Sequence, residues 1–139
     1  MARTDSRIDA GLTLLRIVTG AVFLAHGAQK LFQFGLSGVA ASFTQVGVPL
    51  PAITAPLVSG LEFFGGIALI LGLLTRLVGL GLMIDMTGAI FLIHLAGGFF
   101  LPRGVEFALM LGTAAATLVL TGPGAYSVDA ALARRRSGP

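Results

Sequence analysis

The stretch LTLLRIVTGAVFLAHGAQKLFQF, Leu12–Phe34, decides the fold. It is long enough to cross a bilayer, which takes about 20 apolar residues. Yet it carries Arg16, His26 and Lys30. An ionisable group in hydrocarbon costs roughly 2.5–3.5 kcal/mol on the insertion scale. Such a segment is stable when it is one helix of a bundle and its charged stripe faces protein instead of lipid.

Three further apolar segments follow, at about 53–74, 77–100 and 105–120, carrying Glu62, Asp85 and Glu106 in or at the edge of them. The fourth is short, near the lower limit of about 17 residues for a span. Backbone polar groups in lipid must be satisfied within each segment, so all four read as helices. The expected fold is an all-α, four-transmembrane-helix bundle, one integral membrane domain over 1–139. Composition agrees: 55% of residues are hydrophobic and 11% charged, against about 25% charged in soluble domains. The twenty glycines suit close-packed membrane helices. The first segment differs from a cleaved leader because Arg16 interrupts its apolar run and no small-residue cleavage site follows.

Four spans place both termini on one side, together with Thr75-Arg76. That side holds Arg3, Arg7 and the basic tail 130–139 with Arg134, Arg135 and Arg136, so it is expected to be cytoplasmic. The charge excess of +3 sits at the ends and reads as topology and contact with membrane lipids, not nucleic-acid binding. Ser127 is placed to N-cap a short tail helix. On the other side, Val39–Val46 lies between Gly38 and Gly47 and reads either as a short surface or re-entrant helix or as an ordered loop.

A helix advances about 100° and 1.5 Å per residue. Arg16, Gly20, Phe23, Gly27 and Lys30 then share one stripe, with His26 beside it. Ser59, Glu62 and Gly66 share a face of the second helix; Gly81, Asp85 and Gly88 of the third; Glu106, Met110, Thr113 and Thr117 of the fourth. Depth counted from the cytoplasmic edge predicts an inner structural ion pair, Arg16–Asp85. It also predicts an outer polar cluster of His26, Lys30, Glu62 and Glu106. Two cations then face three carboxylates, so His26 is protonated, or a carboxyl is, or a ligand completes the balance. His94 falls about 180° from Asp85 on an ideal helix and so points outward unless Gly88 marks a kink or bulge. That facing argues against His26 and His94 as axial ligands of a haem.

The stretches Leu15-Arg16…Gly20…His26-Gly27-Ala28-Gln29-Lys30-Leu31, Glu62…Gly65-Gly66…Leu71-Gly72-Leu73-Leu74-Thr75-Arg76 and Gly122-Pro-Gly-Ala-Tyr-Ser-Val-Asp129 resemble the DoxX family of small membrane proteins. The resemblance implies a four-helix protein of the bacterial plasma membrane. It also implies a link to quinone-coupled oxidation of thiosulfate, or to membrane redox complexes with sulfurtransferase and superoxide dismutase. This chain has no cysteine, so it carries no sulfane sulfur covalently and binds no metal through thiolates. No other metal-ligand cluster has usable spacing. The expected function is therefore an accessory or quinone-interacting component of a membrane redox system. His26, Lys30, Glu62 and Glu106 form its quinone pocket, with His26 and Glu62 as candidates for proton transfer. The alternatives are a small-solute or proton transporter, or a scaffold without chemistry of its own that holds a soluble oxidoreductase. A soluble or membrane redox partner protein is an expected partner, and the short chain would need to form a homo-oligomer to serve as a transporter.

Overall fold

The computed structural model describes residues 2–136 and is helical apart from its turns and loops, without strands among them. Helix α1 (Ala2–Ala28) runs into a wide π-helical turn (Gln29–Phe34). Gly35, at φ 71°, then breaks the direction of the chain. The outer segment is a helix and not a loop: α2 spans Gly35–Val46 and ends on Gly47, whose left-handed backbone (φ 80°) returns its N–H to the carbonyls of Phe43 and Thr44. Helix α3 is Pro51–Leu71, and its first residue is a proline, which needs no helical donor there. A turn with left-handed Gly72 and Leu74 leads to α4 (Thr75–Ala89), which continues as a second π turn (Ile90–His94) and a short 3-10 turn to Gly97. Helix α5 is Glu106–Thr121 and α6 is Val128–Arg136. Ser127 caps α6 as expected, its Oγ accepting from the Ala130 N–H at 3.1 Å.

Three helical stretches, 5–46, 51–71 and 75–97, are long and apolar enough to cross a membrane, and α5 is a shorter apolar helix. Its 16 residues span about 24 Å. The molecule is an all-α membrane bundle.

The helices pack as two tight pairs. Helix α1 crosses α3 on glycines. A Cβ on Gly20 would lie 2.7 Å from the Gly66 carbonyl oxygen, and one on Gly27 2.3 Å from the Phe63 nitrogen. No side chain larger than hydrogen fits, and the close backbone approach replaces lipid contacts with dispersion. Helix α4 meets α5 likewise, Gly79 against Ala115 and Met86 against Gly112. Phe23, Leu69, Leu82, Met86, Ala108, Ala115 and Leu118 form the core between the pairs.

One expected face and one expected ion pair are corrected here. On α5 the inward residues are Ala108, Ala115 and Leu118. Met110 is 70% exposed, and Thr113 and Thr117 turn outward. The threonine hydroxyls are satisfied by carbonyls one turn back on their own helix, at 2.8 and 2.9 Å, so they need no interior partner. Small alanines are what the contact with Gly79 requires.

The second correction is the Arg16–Asp85 pair, which does not form. Arg16, 2% exposed, donates from Nη1 to the Pro123 carbonyl (3.1 Å) and from Nη2 to the Tyr126 carbonyl (2.8 Å). Its guanidinium lies over Gly72 and faces the charge of Asp129. Asp129 in turn accepts from the Leu74 and Thr75 N–H groups at 2.8 and 2.9 Å, capping α4 from across the molecule. Asp9 holds the Ala125 N–H at 2.8 Å. These contacts tie α1, the α3–α4 turn and the chain after α5 into one node at one end of the bundle. Asp85 lies ten residues beyond Thr75, about 15 Å up the helix, beyond the reach of Arg16.

Candidate functional site

The shortness of the α3–α4 turn sets the level of the charges. Helix α3 ends at Leu71 and α4 starts at Thr75. Glu62 and Asp85 thus sit nine and ten residues from the turn, each about 15 Å into the bundle. The sequence-derived boundaries, at 74 and 77, had put them at different depths. In the structure they face each other across the two helix pairs.

Lys30 forms an ion pair with Glu62, the one such pair among the described residues. The Gly27–Phe63 contact makes it possible. It brings the α1 backbone onto α3 one turn below Lys30, so the lysine reaches a carboxylate that is 4% exposed. Asp85 lies beside this pair, interacting with both Glu62 and Lys30. Its Oδ2 is buried and has no hydrogen-bond partner. A buried oxygen without a partner costs about 1–3 kcal/mol. His26 stands next to the cluster with its ring 5.5 Å from that of Phe107 on α5.

Above these groups opens a cavity of about 1020 Å³. His26, Lys30, Glu62 and Asp85 are on its wall, with Gln29 and Gln33 from the π turn of α1. The rest of the wall is mostly apolar, drawn from all five larger helices: Phe23, Val39, Phe43, Val58, Met86 and Phe107 among others. A polar floor under apolar walls is the usual form of a small-molecule site.

The expected cluster is thus partly assembled. His26, Lys30 and Glu62 come together, and Asp85 takes the place expected for Glu106. Glu106 is absent from the cavity wall; its Oε1 accepts the Leu101 N–H at 2.7 Å and braces the turn before α5. It is the first residue of that helix, where a carboxylate is favoured by the helix dipole. His94 is corrected the other way. It lines the cavity, and its Nδ1 donates to the Arg103 carbonyl at 3.2 Å. The π turn at Ile90–His94 inserts one residue into the helical count, which rotates His94 by about 100° from its ideal position. The same device at Gln29–Phe34 brings Gln29, Lys30 and Gln33 onto one wall. A fixed helical period misses this, although glutamines at the end of an apolar span were a signal in themselves.

A DoxX family signature matches residues 11–95, which include every polar residue of the cavity floor. This chain belongs to the DoxX family. It is 34% identical to a Bacillus subtilis protein named "Putative oxidoreductase CatD" over 90% of this chain and 89% of that one. It is 36% identical to the "Uncharacterized membrane protein Rv3486" of Mycobacterium tuberculosis, over 87% and 80% of the two chains. It is 33% identical to the "Inner membrane protein YqjF" of Escherichia coli, over 91% and 95%. No solved structure matches it.

Proposed function

We propose that this DoxX protein is a quinone-interacting component of a membrane redox system. The observation that carries the reading is the buried Lys30–Glu62–Asp85 cluster at the floor of a large apolar cavity inside a membrane bundle. The fit is chemical. Lys30 and His26 can donate to a carbonyl, and the unpartnered Asp85 Oδ2 can accept from a ring hydroxyl. Apolar walls suit a flat ring and its hydrocarbon tail. A bound quinone would supply two-electron chemistry coupled to proton uptake. The chain's own part is to hold the head, exclude water, and keep a proton-exchanging carboxyl pair beside it. The chain carries no cysteine and so has no thiol–disulfide couple of its own to supply electrons; in this reading a partner supplies them. The similarity to a protein named as an oxidoreductase supports this direction.

We place the protein in the bacterial inner membrane, as the YqjF similarity suggests. The node of Arg16, Gly72 and Asp129, followed by the arginines of α6, would face the cytoplasm by the positive-inside rule. A soluble redox partner would dock at that end. A transport path fits less well, because Arg16 and its partners close the bundle at the node while the cavity lies above Phe23 and Glu62.

Titration of the purified protein with a menaquinone or ubiquinone analogue tests the proposal. Saturable binding that weakens in Lys30→Met and Asp85→Asn is expected. Absence of saturable binding overturns it and leaves the scaffold reading.

A further inference from the structure

The two helix pairs are unequally joined. Helix α1 packs along α3, and α4 along α5, but α1 meets α5 over a short stretch. The node holds the lower ends of α1 and α5 together. Above the core contacts of Phe23, the rings of His26 and Phe107 meet at 5.5 Å, tilted by 46°. Both residues line the cavity, and Phe107 is 40% exposed. Gln29 and Gln33, also on the cavity wall, are exposed as well. A separate shallow groove on the outer face of α1, formed by Ala25, His26, Ala28, Gln29, Phe32 and Gln33, begins at the same histidine. His26, with Gln29 and Gln33, therefore lies between the cavity and this outer groove.

The level is that of the hydrocarbon. Gln29 lies thirteen residues above Arg16 and Phe107 fourteen above Thr121, about 20 Å from the node in both cases, within a core about 30 Å thick. On the α3 side the cavity is covered instead. Val39 and Phe43 of α2 pack on Ala55, with Val48 and Val58 around them. The volume argues in the same direction. A cavity of about 1020 Å³ is at the upper end of the range for drug-sized ligands. One ring on the polar floor would leave most of it for a chain.

From these features we infer that the gap between α1 and α5, latched by His26 and Phe107, is a doorway from the bilayer. It takes the hydrocarbon tail of a quinone whose head rests on the Lys30–Glu62 floor. The inference rests on the quinone reading for the identity of the occupant, but not for the existence of the doorway.

The chain contains neither cysteine nor tryptophan, so both can be introduced as unique probes. Phe43→Trp puts a reporter on the buried wall, and Val58→Trp is a second reporter should the first not fold. Gln29→Cys with Phe107→Cys allows the gap to be closed by a reducible bifunctional thiol reagent. The protein is reconstituted in phosphatidylcholine vesicles whose acyl chains carry bromine, a short-range quencher. With free thiols the reporter is expected to lose at least half its fluorescence to the brominated chains. Cross-linking should abolish that loss, and reductant should restore it. In ordinary vesicles, decylubiquinone should reach the cross-linked protein at least tenfold more slowly than the open one. Quenching that is absent in the open protein, or unchanged by cross-linking, overturns the doorway. Gated bromine quenching without any decylubiquinone binding keeps the doorway and overturns the quinone reading instead.

Discussion

Replacing Gly27 by alanine should separate helices that the site needs in contact. The new Cβ would lie 2.3 Å from the Phe63 nitrogen and 2.6 Å from its Cα, where ordinary contact begins near 3.4 Å. Both opposing atoms are backbone, so no rotamer change relieves the overlap, and α1 must withdraw by about 1.1 Å, the difference between those two distances. Overpacking of this kind costs about 1–3 kcal/mol. Lys30 is three residues on, and a withdrawal of that size carries an ordinary hydrogen bond beyond about 3.2 Å. Part of the ion pair is then lost as well, though less than the 3–5 kcal/mol typical of a broken buried pair. The lysine is 20% exposed and can recover some hydration. A net loss of about 2–4 kcal/mol follows from adding these two terms. The control is Gly60→Ala on α3, where a Cβ meets nothing within 4 Å. That change should stabilise slightly, by up to about 1 kcal/mol, through helix propensity. Unfolding in mixed micelles on titration with sodium dodecyl sulfate, followed by circular dichroism, measures both. Equal stability of the two variants would refute the claim that α1 and α3 touch through backbone at Gly27.

The ion-pair assignments make further predictions. A double-mutant cycle of Arg16→Met with Asp85→Asn should show coupling within about 0.5 kcal/mol of zero, as for sites that share no partner. The same cycle on Lys30→Met and Glu62→Gln should give about 1–3 kcal/mol, the range of contacting charged groups. Asp129→Ala removes two backbone caps of α4 and the charge facing Arg16. It should cost about 2 kcal/mol, the upper range for a lost cap, and Asp129→Asn should recover part of this in the same unfolding assay. Glu106→Gln should leave the affinity for a quinone analogue within about twofold, since Glu106 is not on the cavity wall and the amide oxygen of glutamine can still accept the Leu101 N–H. A loss like that of Asp85→Asn in equilibrium binding would return Glu106 to the site.

Membrane insertion, the all-α bundle and the existence of an interior polar cluster follow from the order of residues alone. Arg16, Glu62 and Asp85 in apolar segments have no stable place facing lipid, whatever the tertiary arrangement. Glycines at 20, 27 and 66 likewise announce a close crossing, because their spacing puts them on helix faces with the charges. Which charges meet depended on small displacements that residue order does not display. Two π turns each shifted the helical phase, bringing His94 and Gln33 onto the cavity wall. A turn confined to Gly72–Leu74 set Glu62 level with Asp85 and left Arg16 to the carbonyls of Pro123 and Tyr126. Burial of a charge is a demand made by each segment on its own. Its partner is chosen by geometry summed over several segments, where one residue of phase or two of turn length moves a side chain to another neighbour.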